Sequence, residues 1–250
     1  MKKMIELTSV SKSFKAKGGT TEVARNVSFE VAEGEFVVLV GPGQCGKSTL
    51  INLMAGLELP DSGEVIVNGE KVTKPDPSRG VVYQTTMLFP WLTVMGNVGY
   101  GPRIRGMKKA EWQAKAKEYI DLVGLTGFEK SYPVQLSGGM RQRVGIARAY
   151  CSGPDVILMD EPFGHLDAQT RWLMQEEVIR LWQRERKTVV FVTNNIEEAV
   201  YLADRVLVMG NCPTSVQHEF VIDLPRPRDY VSPDFMRLRQ EIGAVIERTR

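Results

Sequence analysis

The sequence predicts an α/β fold with a mainly parallel sheet. Three observations carry that expectation. Apolar runs of strand character alternate with segments whose apolar residues recur at helical spacing. One run, Phe36-Val37-Val38-Leu39-Val40, passes straight into a glycine-rich turn and then a helical pattern. Another, Val156-Ile157-Leu158-Met159, ends on two carboxylates, Asp160 and Glu161.

Taken in order, residues 4–40 read as short strands around Ile5, Leu7 and Val10, then from Val23 to Val31 and from Phe36 to Val40. Turn signals at Lys17-Gly18-Gly19 and Glu33-Gly34-Glu35 separate them. Phe14 falls in the first turn region, where an aromatic either stacks on a nucleotide base or fills a strand end. Asp61-Ser62-Gly63 leads into a strand pair, Glu64 to Val67 and Val72, closed by Asn68-Gly69. Pro75-Asp76-Pro77 is a loop, and Gly80 to Gln84 is a strand ending on a polar amide.

From Leu92 to Pro133 the character turns helical. Trp112, Ala116, Tyr119, Ile120 and Val123 share one face, with Lys117, Glu118 and Asp121 opposite. Lys108 and Lys109, at the start of that helix, read as solvated charges. Helices follow at 137–151 and 168–184, then a strand from Thr188 to Thr193, a helix from Glu197 to Leu202 and a strand from Arg205 to Met209. Pro225-Arg226-Pro227 reads as a linker. The tail from Pro233 puts Phe235, Leu238, Ile242, Val245 and Ile246 on one face of a helix expected to pack on its own domain.

Composition bounds the function. The chain has 250 residues, enough for one large domain or two small ones, and its formal charge of +2 names no partner. No basic stripe of a nucleic-acid binder is present. Cys45, Cys151 and Cys212 form neither a disulfide framework nor a zinc spacing. No signal-peptide pattern opens the chain, and no apolar run approaches the roughly 18 residues that span a bilayer. A cytosolic protein is therefore expected, with any membrane role coming through a partner.

The turn Gly41-Pro42-Gly43-Gln44-Cys45-Gly46-Lys47-Ser48-Thr49 has the Gly-x-x-x-x-Gly-Lys-Ser pattern of a phosphate-cradling loop. Its glycines let backbone N–H groups turn inward around phosphate oxygens, and the following helix aims its positive end at the same anion. Lys47 is placed to reach the β- and γ-phosphates, and the Ser48 hydroxyl to ligate Mg²⁺. Asp160 suits a Mg²⁺-holding carboxylate, and Glu161 a residue that activates or orients the attacking water. In Leu136-Ser137-Gly138-Gly139-Met140, a serine at a helix start and two glycines present a hydroxyl and bare N–H groups to an anion.

With that last segment the chain resembles the ATP-binding subunit of an ABC transporter. The resemblance covers nearly the whole chain, with its motifs in the family's order: the loop at Gly41 to Thr49, Gln84, the signature at Leu136 to Met140, the strand to Asp160-Glu161, and Leu166-Asp167. Leu88 to Val94, Asp160 to Gly164, Ala203 to Val206 and Asp223 to Arg228 are most similar to importers of nitrate, sulfonate and taurine.

The resemblance implies an ABC ATPase domain over residues 1–228, with a helical subdomain at about 92–150, and a C-terminal amphipathic helix over 229–250. It implies a P-loop NTPase core with added antiparallel β and helical subdomains. ATP would be bound by the phosphate loop with Phe14 stacked on the adenine, Mg²⁺ by Ser48, Gln84 and Asp160, and hydrolysis would rest on Glu161 and Gln84, with Asn194 and His165 as the further catalytic candidates. Ser137, Gly138 and Gly139 would complete the site of a second copy of the chain. The implied partners are that copy, transmembrane permease subunits and, indirectly, a periplasmic or extracellular solute-binding protein, with no nucleic acid. The implied place is cytoplasmic, peripheral on the inner face of the cell membrane, and Leu88 to Trp91 are candidates for the permease contact.

Two departures stand out. Asn194-Asn195 stands where the family has His-Asp, whose histidine, as the resemblance implies, contacts the γ-phosphate and holds the attacking water, and an asparagine carries neither a transferable proton nor a positive charge near neutral pH. His165 stands in the interface loop where alanine is common. Either His165 of one subunit partly replaces the group missing at Asn194 of the other, or the two changes are unrelated and hydrolysis is slowed. The second outcome gives an alternative function, a nucleotide-binding regulatory module with weak ATPase activity. Gly43-Gln44 also replaces the usual Ser-Gly, with Gln44 expected to alter the loop's conformation.

Overall fold

The computed structural model describes residues 2–16 and 19–248, so the turn expected at Lys17 and Gly18 lies outside them. It divides into two compact units: Met1–Asp76 with Lys187–Arg250, and Pro77–Arg186.

In the first unit, strands β1 (Lys3–Ala16) and β2 (Gly19–Ala32) pair antiparallel over 14 residues each. These are longer than the short strands expected. Bulges explain why, since they shift the inward–outward alternation that marks a strand. Ser9 and Asn26 adopt left-handed φ of 50° and 48° there. Their N–H groups are satisfied by the Ser28 and Ser11 hydroxyls, at 2.8 and 3.0 Å. Strand β4 (Ser62–Val67) pairs with β1, and Asn68-Gly69 turns it into β5 (Glu70–Lys71).

The core of this unit is parallel. Strand β3 (Phe36–Val40) is buried at every residue and lies between β8 (Thr188–Thr193) and β9 (Arg205–Met209), parallel to both. A strand covered on both faces needs a continuous apolar run rather than alternation, which is what Phe36 to Val40 supplies. Strand β10 (Val216–Val221) closes the edge antiparallel to β9. Helix α1 (Lys47–Ala55) follows β3, and α7 (Ile196–Leu202) follows β8. Helix α8 (Pro233–Arg248) buries Phe235, Leu238, Ile242 and Ile246 and packs on α7 and β9, as its apolar face led one to expect.

The second unit pairs β6 (Arg79–Tyr83) and β7 (Val156–Asp160) in parallel. Between them come α2 (Val94–Val98), α3 (Tyr100–Ile104), α4 (Lys109–Leu122), a 3₁₀ turn at Pro133–Gln135 and α5 (Gly138–Cys151); α6 (Ala168–Glu185) follows β7. Helix α4 buries Ala116, Tyr119 and Ile120, while Lys108 and Lys109 are exposed. Trp112 lies so close to Gly99 that a Cβ there would fall 2.3 Å from its ring. Helix α5 packs against α2 and α4 and buries Val144, Ile146, Ala147 and Tyr150. All three cysteines are free, as expected.

Candidate nucleotide site

In the first unit the phosphate loop leaves β3 at Gly41. Two glycines are required there by close approach. A Cβ at Gly41 would fall 2.7 Å from the Met209 carbonyl oxygen, and one at Gly46 2.8 Å from Val23. Gly46 also has φ of 102° and stands as the N-cap of α1. Lys47, the first residue of that helix, is buried. Its Nζ donates to the Gly41 and Pro42 carbonyls at 2.9 and 2.6 Å, with Cys45 Sγ at 3.6 Å. The ammonium is thus drawn into the ring of backbone that the loop forms. Pro42 and Thr49 are half-buried, and Ser48 is exposed at the helix start. Gly43 has open space around it, whereas Gln44 takes φ of 60°, a left-handed conformation costing a non-glycine residue about 1 kcal/mol or more.

Register places a second group beside this loop. Val40 pairs with Thr193, so Gly41 and Asn194 leave neighbouring parallel strands at the same carboxyl edge. That edge is where open α/β sheets take ligands. Asn194 is exposed. Phe14 is neither buried nor in a turn: it lies in β1 opposite Thr21, with the Lys12 ammonium 5.2 Å from its ring centroid.

The second unit carries the carboxylates. Tyr83 pairs with Asp160, so Gln84 and Glu161 emerge side by side from β6 and β7. Burial, then the Asp160 charge, pushes the Tyr83 phenol up. Glu161 holds φ of 44°, a strained conformation for a side chain of its size. Gln84 lies across Gly164, where a Cβ would meet its Nε2 at 2.6 Å. Gln84, Gly138, Arg141, Gln142, His165 and Leu166 line a cavity of about 360 Å³. The structure therefore brings His165 together with Gln84 and the signature within one chain.

Ser137 caps α5, its Oγ accepting from Met140 N at 3.3 Å. Gly138 is open, but a Cβ at Gly139 would lie 2.7 Å from Thr170, so that glycine lets the starts of α5 and α6 approach. Asp167 caps α6 by accepting from Thr170 N at 3.0 Å. That backbone hydrogen bond holds its carboxyl below the usual range.

Sequence reasoning missed the residues that brace the segment after Gln84. Gln142 donates to the Tyr83 carbonyl at 3.3 Å. Arg148 donates to the Thr86 and Met87 carbonyls at 3.1 and 3.0 Å and lies over the Phe89 ring. Asn97, fully buried, accepts from Phe89 N at 2.9 Å and donates to the carbonyls of Phe89, Leu92 and Thr93. Phe89 in turn packs on Trp91 and Tyr100. Trp91 is 70% exposed, and beside this cluster a groove of about 420 Å³ is lined by Phe89, Tyr100, Ile104 and Arg148.

A protein family described as ABC transporter matches residues 24–164, more than half of the chain. The chain belongs to that family. As a member it is an ATP-binding subunit and an ATPase. An uncharacterized ABC transporter ATP-binding protein of Methanocaldococcus jannaschii is 46% identical over 99% of this chain and 92% of its own. The aliphatic sulfonates import ATP-binding protein SsuB of Bacillus cereus (strain ZK / E33L) is 42% identical over 95% of this chain and 94% of its own. The solved dimeric structure of a bacterial ABC transporter cassette superposes with a TM-score of 0.79 at 33% identity, covering 89% of this chain and 100% of that one. A dimeric ATP-binding cassette in a post-hydrolysis state, bound to ADP and Pi, gives 0.78 at 32%, with the same coverage. The fold is accordingly that of the ABC ATPase cassettes.

Proposed function

We propose that the chain powers the import of a small, anionic solute of the sulfonate class, working as a dimer beneath membrane permease subunits. The observation that carries the nucleotide chemistry is the loop itself. Glycine-enforced backbone approach and a buried Lys47 make a cationic ring at the carboxyl edge of a parallel sheet. Its similarity to aliphatic sulfonate import proteins supports the solute class.

In this reading Gly41 to Thr49 hold the phosphates and Phe14 stacks on the base. Glu161 orients the attacking water, and Gln84 links the site to the permease. Ser48, Asp160 and Gln84 offer only hard oxygen donors, which suits Mg²⁺, an ion held by few protein ligands together with substrate phosphates. Bound there, the ion supplies charge neutralisation on the transferred phosphoryl group. Ser137 to Gly139 of a second copy close the site. The exposed Trp91, packed on half-buried Phe89, with the neighbouring groove, is the surface for the permease.

Co-purification with a permease, followed by ATP turnover with and without it, tests the assignment. Lys47→Ala should abolish nucleotide binding, and Glu161→Gln should keep binding while losing turnover. Failure of any membrane subunit to co-purify would sink the transport reading.

One observation favours a slower ATPase with a regulatory role. Asn194 is exposed at the carboxyl edge beside the phosphate loop and cannot carry a proton. Asn194→His raising turnover would support that second reading. His165→Ala lowering turnover would instead favour compensation by His165.

A further inference from the structure

In the first unit, Asn194 sits in a turn that side chains lock from within. Thr193 Oγ1 donates to Glu198 Oε2 at 2.6 Å, and this pair is buried. Asn195 N donates to the same Thr193 oxygen at 3.0 Å. Asn195 Oδ1 accepts from Glu197 N and Glu198 N at 2.8 and 3.2 Å, capping α7. The turn and the seven-residue helix after it therefore move as one piece.

The C-terminal segment grips that piece at both ends. At the far end the Arg228 guanidinium, 6% exposed, donates to the carbonyls of Val200, Tyr201 and Ala203 at 2.6, 3.1 and 2.6 Å. It also donates to the Leu224 and Ile222 carbonyls at 3.2 and 3.0 Å. Arg226 adds the Leu202 carbonyl at 2.5 Å and Asp204 at 2.7 Å. Tyr230 stacks on Tyr201 with centroids 4.7 Å apart and packs against Phe235 of α8.

At the near end, α8 meets the first residues of α7. Arg239 pairs with Glu197 at 3.0 Å, and a Cβ at Gly243 would stand 3.6 Å from Ile196 Cδ1. Ile196 is two residues beyond Asn194. With the far end pinned by carbonyl bonds, α7 has no freedom to slide away from α8. A push on Ile196 or Glu197 is therefore passed directly to the turn that is locked to them. Gly243 brings the α8 backbone close to Ile196, where an added methyl group would stand in ordinary van der Waals contact and a larger side chain would press on it.

We propose that α8 is a positioning element for hydrolysis: through Gly243 against Ile196 and Arg239 against Glu197 it sets where Asn194 points. It acts on the rate of cleavage without touching nucleotide. This rests on the reading of Asn194 as the residue facing the terminal phosphate.

The test compares full-length Gly243→Ala, Gly243→Leu, Arg239→Glu, Glu197→Arg, the double swap and Asn194→Ala, measuring kcat, KM for ATP and Tm. Gly243→Ala should raise Tm and hold kcat within about twofold, because a methyl group fits the contact. Gly243→Leu and Arg239→Glu should each shift kcat by about threefold or more, with KM within about twofold and Tm unchanged. The double swap, which rebuilds the pair with reversed signs, should restore kcat. If Asn194→Ala lowers kcat while Gly243→Leu and Arg239→Glu leave it unchanged, or change it only in step with Tm, the positioning role is wrong. If Asn194→Ala itself leaves kcat unchanged, the reading of Asn194 falls and this inference with it.

Discussion

Replacing Arg228 by methionine removes the cation while keeping most of its apolar bulk. Five carbonyl oxygens lose a donor, and three of them, on Val200, Tyr201 and Ala203, end α7. Helix-end carbonyls have no partner of their own. An orphaned buried acceptor costs about 1–3 kcal/mol, and hydrogen bonds from a charged donor are worth at the upper end. Against this stands the cost of burying a guanidinium with no carboxylate bonded to it; burial, first among the causes, pushes it below the usual arginine range. Water reaching some of the carbonyls softens the loss further. The net expectation is a destabilisation of about 3 kcal/mol. Lysine keeps the charge but has three donors and no planar fork, so Arg228→Lys should fall between, at about 1–2 kcal/mol. Urea unfolding followed by circular dichroism reads both, with hydrogen exchange on the amides of α7 locating the loss. A loss below about 1 kcal/mol for the methionine variant would refute the reasoning, as would a lysine variant less stable than it.

Three other outcomes follow from the geometry. Gly56→Ala forces a side chain onto φ of 78° and its Cβ to 2.3 Å from the Lys74 carbonyl oxygen, so the urea midpoint should drop by the equivalent of about 2–3 kcal/mol at unchanged m-value. Asn97→Ala strips four hydrogen bonds from a fully buried side chain, and should cost about 3 kcal/mol and speed chymotrypsin cleavage at Phe89 and Trp91. The Asp167 carboxyl is held below its ordinary value by the cap on α6, so its contribution is present above the unfolded value of 3.8 and is lost as pH falls through the folded one. Asp167→Asn keeps the cap without the proton, and the acid limb of its stability profile should be shallower than that of the parent.

The parallel core was legible because each buried strand carries its own unbroken apolar run, and the phosphate loop because glycine, lysine and serine stand at a spacing that chemistry demands. Less could be read where long-range contacts decide. The bulges at Ser9 and Asn26 shift the face of β1 and β2, so two long strands look like several short ones. Arg228 directly follows Pro225-Arg226-Pro227, which reads as a linker, so nothing in the sequence marks it for burial. Its burial depends on α7 ending at Ala203 without a glycine to close its last turn, a need that only the fold reveals. Arg148 was hidden for the same reason, its partners being carbonyls some sixty residues away, while Asn97 bonds the segment just before its own helix, where only the folded path of Phe89 to Thr93 shows that an amide is needed. The convergence of His165 with Gln84 and Gly138 on one cavity equally had no trace in their spacing.

The way the two units share the chain sets a timetable for biosynthesis. Strand β3 ends at residue 40, and its neighbours β8 and β9 begin at 188 and 205, after the whole second unit. At roughly 5–20 residues per second, a ribosome needs on the order of 10–30 s to deliver them. Until then Phe36 to Val40 has neither of its parallel partners to pair with. Such a nascent edge invites association with other chains, so recovery of native protein should depend on chaperones that shield the emerging segment.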